Sequence, residues 1–185
     1  MPTDRLDEVL DATYECLGRY GVKRTTVDDI ARTMGVSRSA VYQYVRGKDD
    51  AVRQLAQRLH ARALTRAQAA AESDAPAAQR IRGVLAAKLD LVLRLIEDSP
   101  HATELIDEKA RLFGDICVDY TAELRALLVR LFAEAGTAPS VSPEAAADLS
   151  IALVVGLEQM PQQARRLFDT GVTALLAGLL VTSTP

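Results

Sequence analysis

The residues with the strongest chemical character lie between Thr25 and Lys48, in the stretch TTVDDIARTMGVSRSAVYQYVRGK. Arg38, Ser39, Tyr42 and Gln43 place a guanidinium, a hydroxyl, a phenol and an amide close together in the chain. These groups suit base edges and phosphates. Arginine reads guanine or holds phosphate, and serine and glutamine offer adaptable hydrogen bonds. Tyrosine supplies a hydroxyl for phosphate and a ring for thymine methyls. Lys48 opens the next helix, where its charge adds to the positive end of the helix dipole.

The elements that must position these groups are legible around them. Thr26 followed by Asp29, just before Ile30, is a capping box. Asp28 and Asp29 fall where the helix dipole favours negative charge. Val27, Ile30, Ala31 and Met34 recur at helical spacing and give that helix one face to pack. Gly35 fits a left-handed C-cap, Val36 plugs the angle between helices, and Ser37 is the next N-cap. From there Ala40, Val41 and Val45 turn inward, which leaves Arg38, Ser39, Tyr42 and Gln43 outside. Helix, glycine turn and second short helix together form a helix-turn-helix pattern. The plain alternative is an αα-hairpin with solvated polar residues.

The segment TTVDDIARTMGVSRSAVYQYVRGKDDAV resembles the DNA-binding signature of the tetracycline-repressor (TetR) family. That pattern runs T-T-apolar-x-acid-I-A, then a small turn written G-V-S/T, then an aromatic-rich recognition segment closed by a lysine. The preceding RLDEVLDATYECLGRYGVKR is similar to the family's first helix and its glycine-ended turn. Three positions depart from it. Tyr44 stands where histidine is commonest, Val45 where phenylalanine is, and Gly47 where a capping Ser or Thr usually sits. The lost cap costs only a few tenths of a kcal/mol. The resemblance implies Thr26, Ser37, Tyr42, Tyr44 and Lys48 at phosphates, with Arg38, Ser39 and Gln43 as base readers.

Composition bounds the rest. The chain has 185 residues, 49% of them hydrophobic, and a formal net charge of −3. That is enough for one large or two small domains. The acidic balance argues against a protein that coats nucleic acid by charge alone. It leaves room for a specific binder, because Lys23, Arg24, Arg38, Arg46 and Lys48 cluster in or beside the motif. The two cysteines, Cys16 and Cys117, have no metal-ligand spacing and sit in apolar helical patterns, so both are expected as buried thiols. His101, after Pro100, is expected to be exposed. The N-terminal MPTDRLDEVL lacks the apolar core of a leader, and the longest apolar run, near Val172–Val181, is too short to span a bilayer. The chain therefore reads as cytoplasmic, with no membrane partner.

Strand signals are missing and the pattern is helical throughout. The reading is an all-α protein of about nine helices. A helix-turn-helix domain over 1–50 precedes a helical effector-binding and dimerisation domain over 51–185. Ser73–Pro76, Ser99–Pro100 and Gly136–Ser140 are breaks. A short helix is expected from Thr103 to about Ala110 and a separate long one from Phe113. Two last helices follow, with Pro161 suited to a first turn.

Those last helices are more apolar than a surface helix needs. Leu149, Leu153 and Gly156, with Gly171, Leu175 and Gly178, recur at helical spacing, and helical glycines permit close backbone approach. Packing within the chain would explain this. A two-fold interface between copies is favoured, and it is what the family resemblance implies. The same resemblance places a small-molecule effector among the central helices. Asp90, Cys117, Tyr120 and Glu158 are the candidate contacts there, in a lining of Leu, Val, Ile and Ala that suits an apolar or amphipathic ligand.

The expected function is a homodimeric, sequence-specific transcriptional regulator, a repressor on a palindromic double-stranded DNA operator that its effector releases. The alternative is a dimeric DNA-binding protein without an effector, its body serving only dimerisation or protein interaction. An enzyme is not expected: no Ser-His-Asp order, metal constellation or glycine-rich phosphate loop is present, and no cofactor is called for.

Overall fold

A computed structural model describes residues 2–97 and 99–181, with the side chains of residues 2–4, 102, 103, 105 and 106 outside the description. Among the described residues eight helices follow in order: α1 (Pro2–Arg24), α2 (Val27–Met34), α3 (Arg38–Val41), α4 (Lys48–Ala71), α5 (Ala77–Glu97), α6 (Ala102–Ala135), α7 (Pro143–Glu158) and α8 (Pro161–Leu179). The fold is all-α, as the sequence pattern predicts. The short helix expected from Thr103 and the long one after it make up α6 as two helical parts joined across a kink. They meet at Phe113, whose φ of −155° and ψ of 30° leave helical geometry inside α6. Gly114 adjoins the bend, and no proline stands there to force a full break.

The chain divides into two compact units: residues 1–60 with 94–117, and residues 61–93 with 118–185. In the first unit, α1, α2 and α3 close over Val9, Ala12, Cys16, Val27, Ile30, Val41 and Val45, all buried. A second cluster joins Leu10, Leu17 and Val22 to Val52, Leu55 and Ala56 of α4 and to Leu112 and Phe113 of α6. Ion pairs add to it on the rim. Arg53 clasps Asp115 through both guanidinium nitrogens, and Arg111 donates to Asp49 at 2.8 Å. Arg53 beside it holds the Asp115 carboxyl down at about 2.

The second unit is built on small and branched side chains. Ala63, Ala67 and Ala71 of α4 are fully buried, as are Ile81, Val84, Leu128, Leu131, Phe132 and Val154. Alanines allow α4 to lie close to α5: the Cβ of Ala70 is 2.6 Å from where a side chain at Gly83 would begin. Pro143 and Pro161 open α7 and α8, where a missing N–H costs nothing. The end of α8 is fastened back to the α6–α7 loop, with Ala138 N–H donating to Leu179 O at 2.8 Å and Val181 N–H to Gly136 O at 3.3 Å.

Candidate functional site

The local chemistry of α2 and α3 sets the geometry of the polar row. The Thr26 side chain accepts from the Asp29 N–H, and the Asp29 carboxylate accepts from the Thr26 N–H at 3.0 Å. The Thr26 hydroxyl also donates to that carboxylate at 2.6 Å and, with the surrounding donors, holds the Asp29 carboxyl below its usual range. Gly35 takes φ +66°, a left-handed conformation, and its N–H returns to the carbonyls that end α2. Ser37 then caps α3 through the Ala40 N–H at 3.3 Å. Val41 and Val45 are buried, and Arg38, Ser39, Tyr42 and Gln43 are exposed.

These side chains already have company. Arg38 donates to the Tyr42 hydroxyl at 2.9 Å, lies 5.3 Å over its ring, and approaches Asp28 of α2 at 3.5 Å. Asp28 was read only as a favourable charge in the first turn, and its role beside Arg38 follows from the helix crossing. The Ser37 and Ser39 hydroxyls bond each other at 2.9 Å. Thr26 is exposed at the head of α2, whereas Tyr44 is half-buried and packs against the first core cluster. Lys48 is half-buried too, and its ammonium donates to the Val22 carbonyl at 3.1 Å, near the end of α1. Asp50 accepts from the Arg46 N–H at 2.8 Å ahead of the uncapped Gly47. Lys23, Arg24 and Arg46 are exposed.

The effector candidates fall in both units. Cys117 is in the first and is half-buried, a correction to the buried thiol expected there; Cys16 is buried. The Cys117 sulfur lies 3.4 Å from His60 Nε2. His101 is half-buried, not exposed, with Glu104 at 3.8 Å. In the second unit Asp90 faces Arg165 at 3.3 Å. Glu158 accepts from Lys88 at 2.9 Å, and each side chain keeps only 10% exposure. Tyr120 is buried. Its phenol is pushed well above the usual range by burial, with Arg66 opposing and Glu158 adding to the shift. Lys88 escaped the sequence reading, although a lysine inside the apolar run from Leu85 to Leu89 was an available signal. His60 carried no such signal, since its partner is 57 residues away.

Of the expected interface residues, Leu149, Gly156 and Gly178 are exposed and Leu153, Gly171 and Leu175 are half-buried. Leu149 and Val155 of α7 and Met160, just ahead of α8, are exposed. A side chain at Gly171 would begin 3.5 Å from Leu153, and one at Gly156 or Gly178 would find nothing within 4 Å among the described residues. Those two glycines therefore do not serve close packing inside this chain. Among the described residues there is no group of three or more His, Cys, Asp or Glu fit for a metal ion, and no helix is long and apolar enough to cross a membrane.

Comparison with known proteins agrees with this architecture. No curated protein matches the chain in sequence. Among solved structures, the repressor SmeT of the Stenotrophomonas maltophilia multidrug efflux pump SmeDEF has a TM-score of 0.71 at 19% identity, over 96% of this chain and 92% of that one. SmeT has also been solved with triclosan. A TetR/AcrR family transcriptional regulator from Thermobifida fusca scores 0.70 at 21% identity, over 95% and 98% of the two chains. FadR from Bacillus subtilis, solved with stearoyl-CoA, scores 0.69 at 17% identity, over 92% and 97%. These likenesses establish the fold over nearly the whole chain. Residues 9–58 match the family model for bacterial regulatory proteins of the tetR family. The matched segment is the one whose caps and turn leave Arg38, Ser39, Tyr42 and Gln43 outside, so the likeness in sequence to that family rests on the N-terminal helix-turn-helix.

Proposed function

We propose that the protein is a homodimeric repressor that holds a palindromic operator and is released from it by a small apolar or amphipathic effector. The observation that carries the reading is the exposed row Arg38, Ser39, Tyr42 and Gln43, fixed by a capped helix and a left-handed turn. Arg38, Ser39 and Gln43 read bases. Thr26, Ser37, Tyr42, Tyr44 and Lys48 hold phosphates. Residues 1–50 carry this work, and residues 51–185 carry dimerisation and effector binding.

Dimerisation is supported by the outward apolar residues of α7 and by the vacant approach at Gly156 and Gly178. Leu149, Leu153, Gly171 and Leu175 complete that face. Effector binding is supported by the ionic and phenolic groups of Lys88, Glu158 and Tyr120, set within an apolar body, with Asp90 at its edge. Structural relatives have been solved with triclosan and with stearoyl-CoA, the one mainly apolar and the other carrying a long apolar acyl chain on a charged group. Release requires that the effector bind the DNA-incompetent state more tightly, since equal affinity shifts nothing.

The test is selection of bound sequences from random duplex DNA, followed by titration of the winner at several salt concentrations. A palindrome bound by two copies is the expected result. Weak binding that ignores sequence overturns the reading.

A further inference from the structure

The Cys117–His60 pair has a use that DNA binding and dimerisation do not require. His60 sits on α4, and its Nδ1 lies 2.7 Å from the Ala56 carbonyl. A carbonyl oxygen only accepts, so Nδ1 carries the proton. In the neutral ring Nε2 is then the acceptor, and the Cys117 thiol, 3.4 Å away, is the donor. An imidazole nitrogen held ready for a thiol proton, on a half-buried cysteine, is the arrangement that activates a sulfur nucleophile. Cys16 is its foil. It is buried, burial pushes its thiol up, and its neighbour at 3.4 Å is the Thr33 hydroxyl, which is no base.

We propose that Cys117, with His60 as general base, is a covalent acceptor for small α,β-unsaturated carbonyl compounds, and that the adduct acts on the DNA-binding end of the chain through α4. The thiol proton passes to His60 Nε2. The sulfur forms a bond to the β-carbon of the electrophile, and the π electrons move to an enolate. The enolate takes the proton back at its α-carbon. The net change is addition of S–H across C=C, with nothing lost and no oxidant or reductant needed.

The transmission lies within the first unit. Cys117 closes the part of α6 that belongs to this unit, and His60 closes the corresponding part of α4. Between them Phe113 packs near the His60 ring, with centroids 6.3 Å apart. The same two segments are tied by Arg53 to Asp115 and to the Leu112 carbonyl, and by Arg111 to Asp49. Added bulk at Cys117 therefore presses on α4, whose first residue, Lys48, is anchored to α1. This regulatory half rests on the proposed repressor function; the thiol chemistry does not.

The experiment uses N-ethylmaleimide as the probe, below one equivalent at pH 7, with peptide mapping by mass spectrometry. Cys117 is expected to label at least about tenfold faster than Cys16, and His60→Gln to slow it by about a hundredfold, the low end for loss of a positioned base. Wild-type protein supplies the check that needs no variant: Cys117 labels faster in the folded chain than in urea, where the base is lost. Equal or slower labelling when folded, or no change in a folded His60→Gln protein, overturns the site. On a selected operator, the adduct is expected to discharge wild type and leave Cys117→Ser bound. A labelled protein that holds DNA unchanged overturns the regulatory half. Wild type that selects no duplex refutes the repressor reading and the regulatory half with it, while the labelling rates still decide the chemistry.

Discussion

At the scale of single residues, the side chains proposed to recognise DNA are already held in intramolecular contacts. Arg38 stacked on Tyr42 and facing Asp28 must give up or share these contacts to meet a base. If Arg38 reads a guanine, Arg38→Ala costs about 1–3 kcal/mol on the matching operator and relaxes preference at that base pair. A uniform loss across operator variants would mark a phosphate contact instead. Lys48→Ala is expected to weaken all sequences alike and to lower the salt slope by about one unit. Its bond to the Val22 carbonyl adds a second readout, because loss of that anchor also loosens α1 from α4. Thermal melts of the same variant separate the two effects. What was legible at this scale was local. The Thr26–Asp29 box, the Gly35 turn and the Ser37 cap each depend on residues within a helical turn, so spacing alone identifies them. Cys117–His60 and Lys88–Glu158 join positions 57 and 70 residues apart, and nothing in local spacing encodes them.

At the scale of elements, two contacts bear testable weight. The α4–α5 approach at Gly83 leaves no room for a methyl group, since Ala70 Cβ lies 2.6 Å from its position. Gly83→Ala gains about 1 kcal/mol of helix propensity, yet both partners are rigid Cβ atoms without rotamers to yield. The expected net result is overpacking by about 1–3 kcal/mol, seen as a lower urea midpoint. Adding Ala70→Gly should recover part of it. The α4–α6 tie makes a pH prediction. Asp115 titrates near 3.9 in an unfolded chain and at about 2 here, because Arg53 favours its charged form. A depressed folded value means that the tie contributes fully above about pH 4 and fades as pH falls towards 2. The stability gap between wild type and Asp115→Asn should therefore close over that window; a constant gap would show that the pair contributes through packing alone. The sequence located both helical parts of α6 and a break between them; the kink falls at Phe113, beside Gly114, a few residues past the end expected near Ala110.

At the scale of the whole molecule, the proposed dimer explains why α7 leaves Leu149 and Val155 half or nearly half exposed, at 50% and 42%. Light scattering on Leu149→Asp should report a monomer with unchanged helicity. Its operator affinity should fall at least about tenfold, because the second half-site is no longer tethered to the first. A dimer that survives the aspartate places the interface elsewhere. The apolar excess of the last helices was legible from composition, but whether it faced inward or outward was not. Periodicity shows that a helix has an apolar face, and only the packed body shows which apolar residues are left over.

Gly21 offers a way to separate backbone handedness from crowding. It holds φ +76° and ψ 170° inside α1, and an L-alanine methyl there would begin 2.5 Å from Glu104 Oε2 and 3.1 Å from the His101 ring. L-alanine thus meets both a disfavoured backbone region and a collision. A mirror-image residue introduced by chemical ligation escapes the backbone penalty, because positive φ with extended ψ is ordinary ground for a D-amino acid, and its methyl leaves the Cα on the side away from Glu104 and His101. D-alanine at position 21 should melt at or above the glycine parent, by up to about 1 kcal/mol from the stiffer unfolded chain, where L-alanine melts well below it.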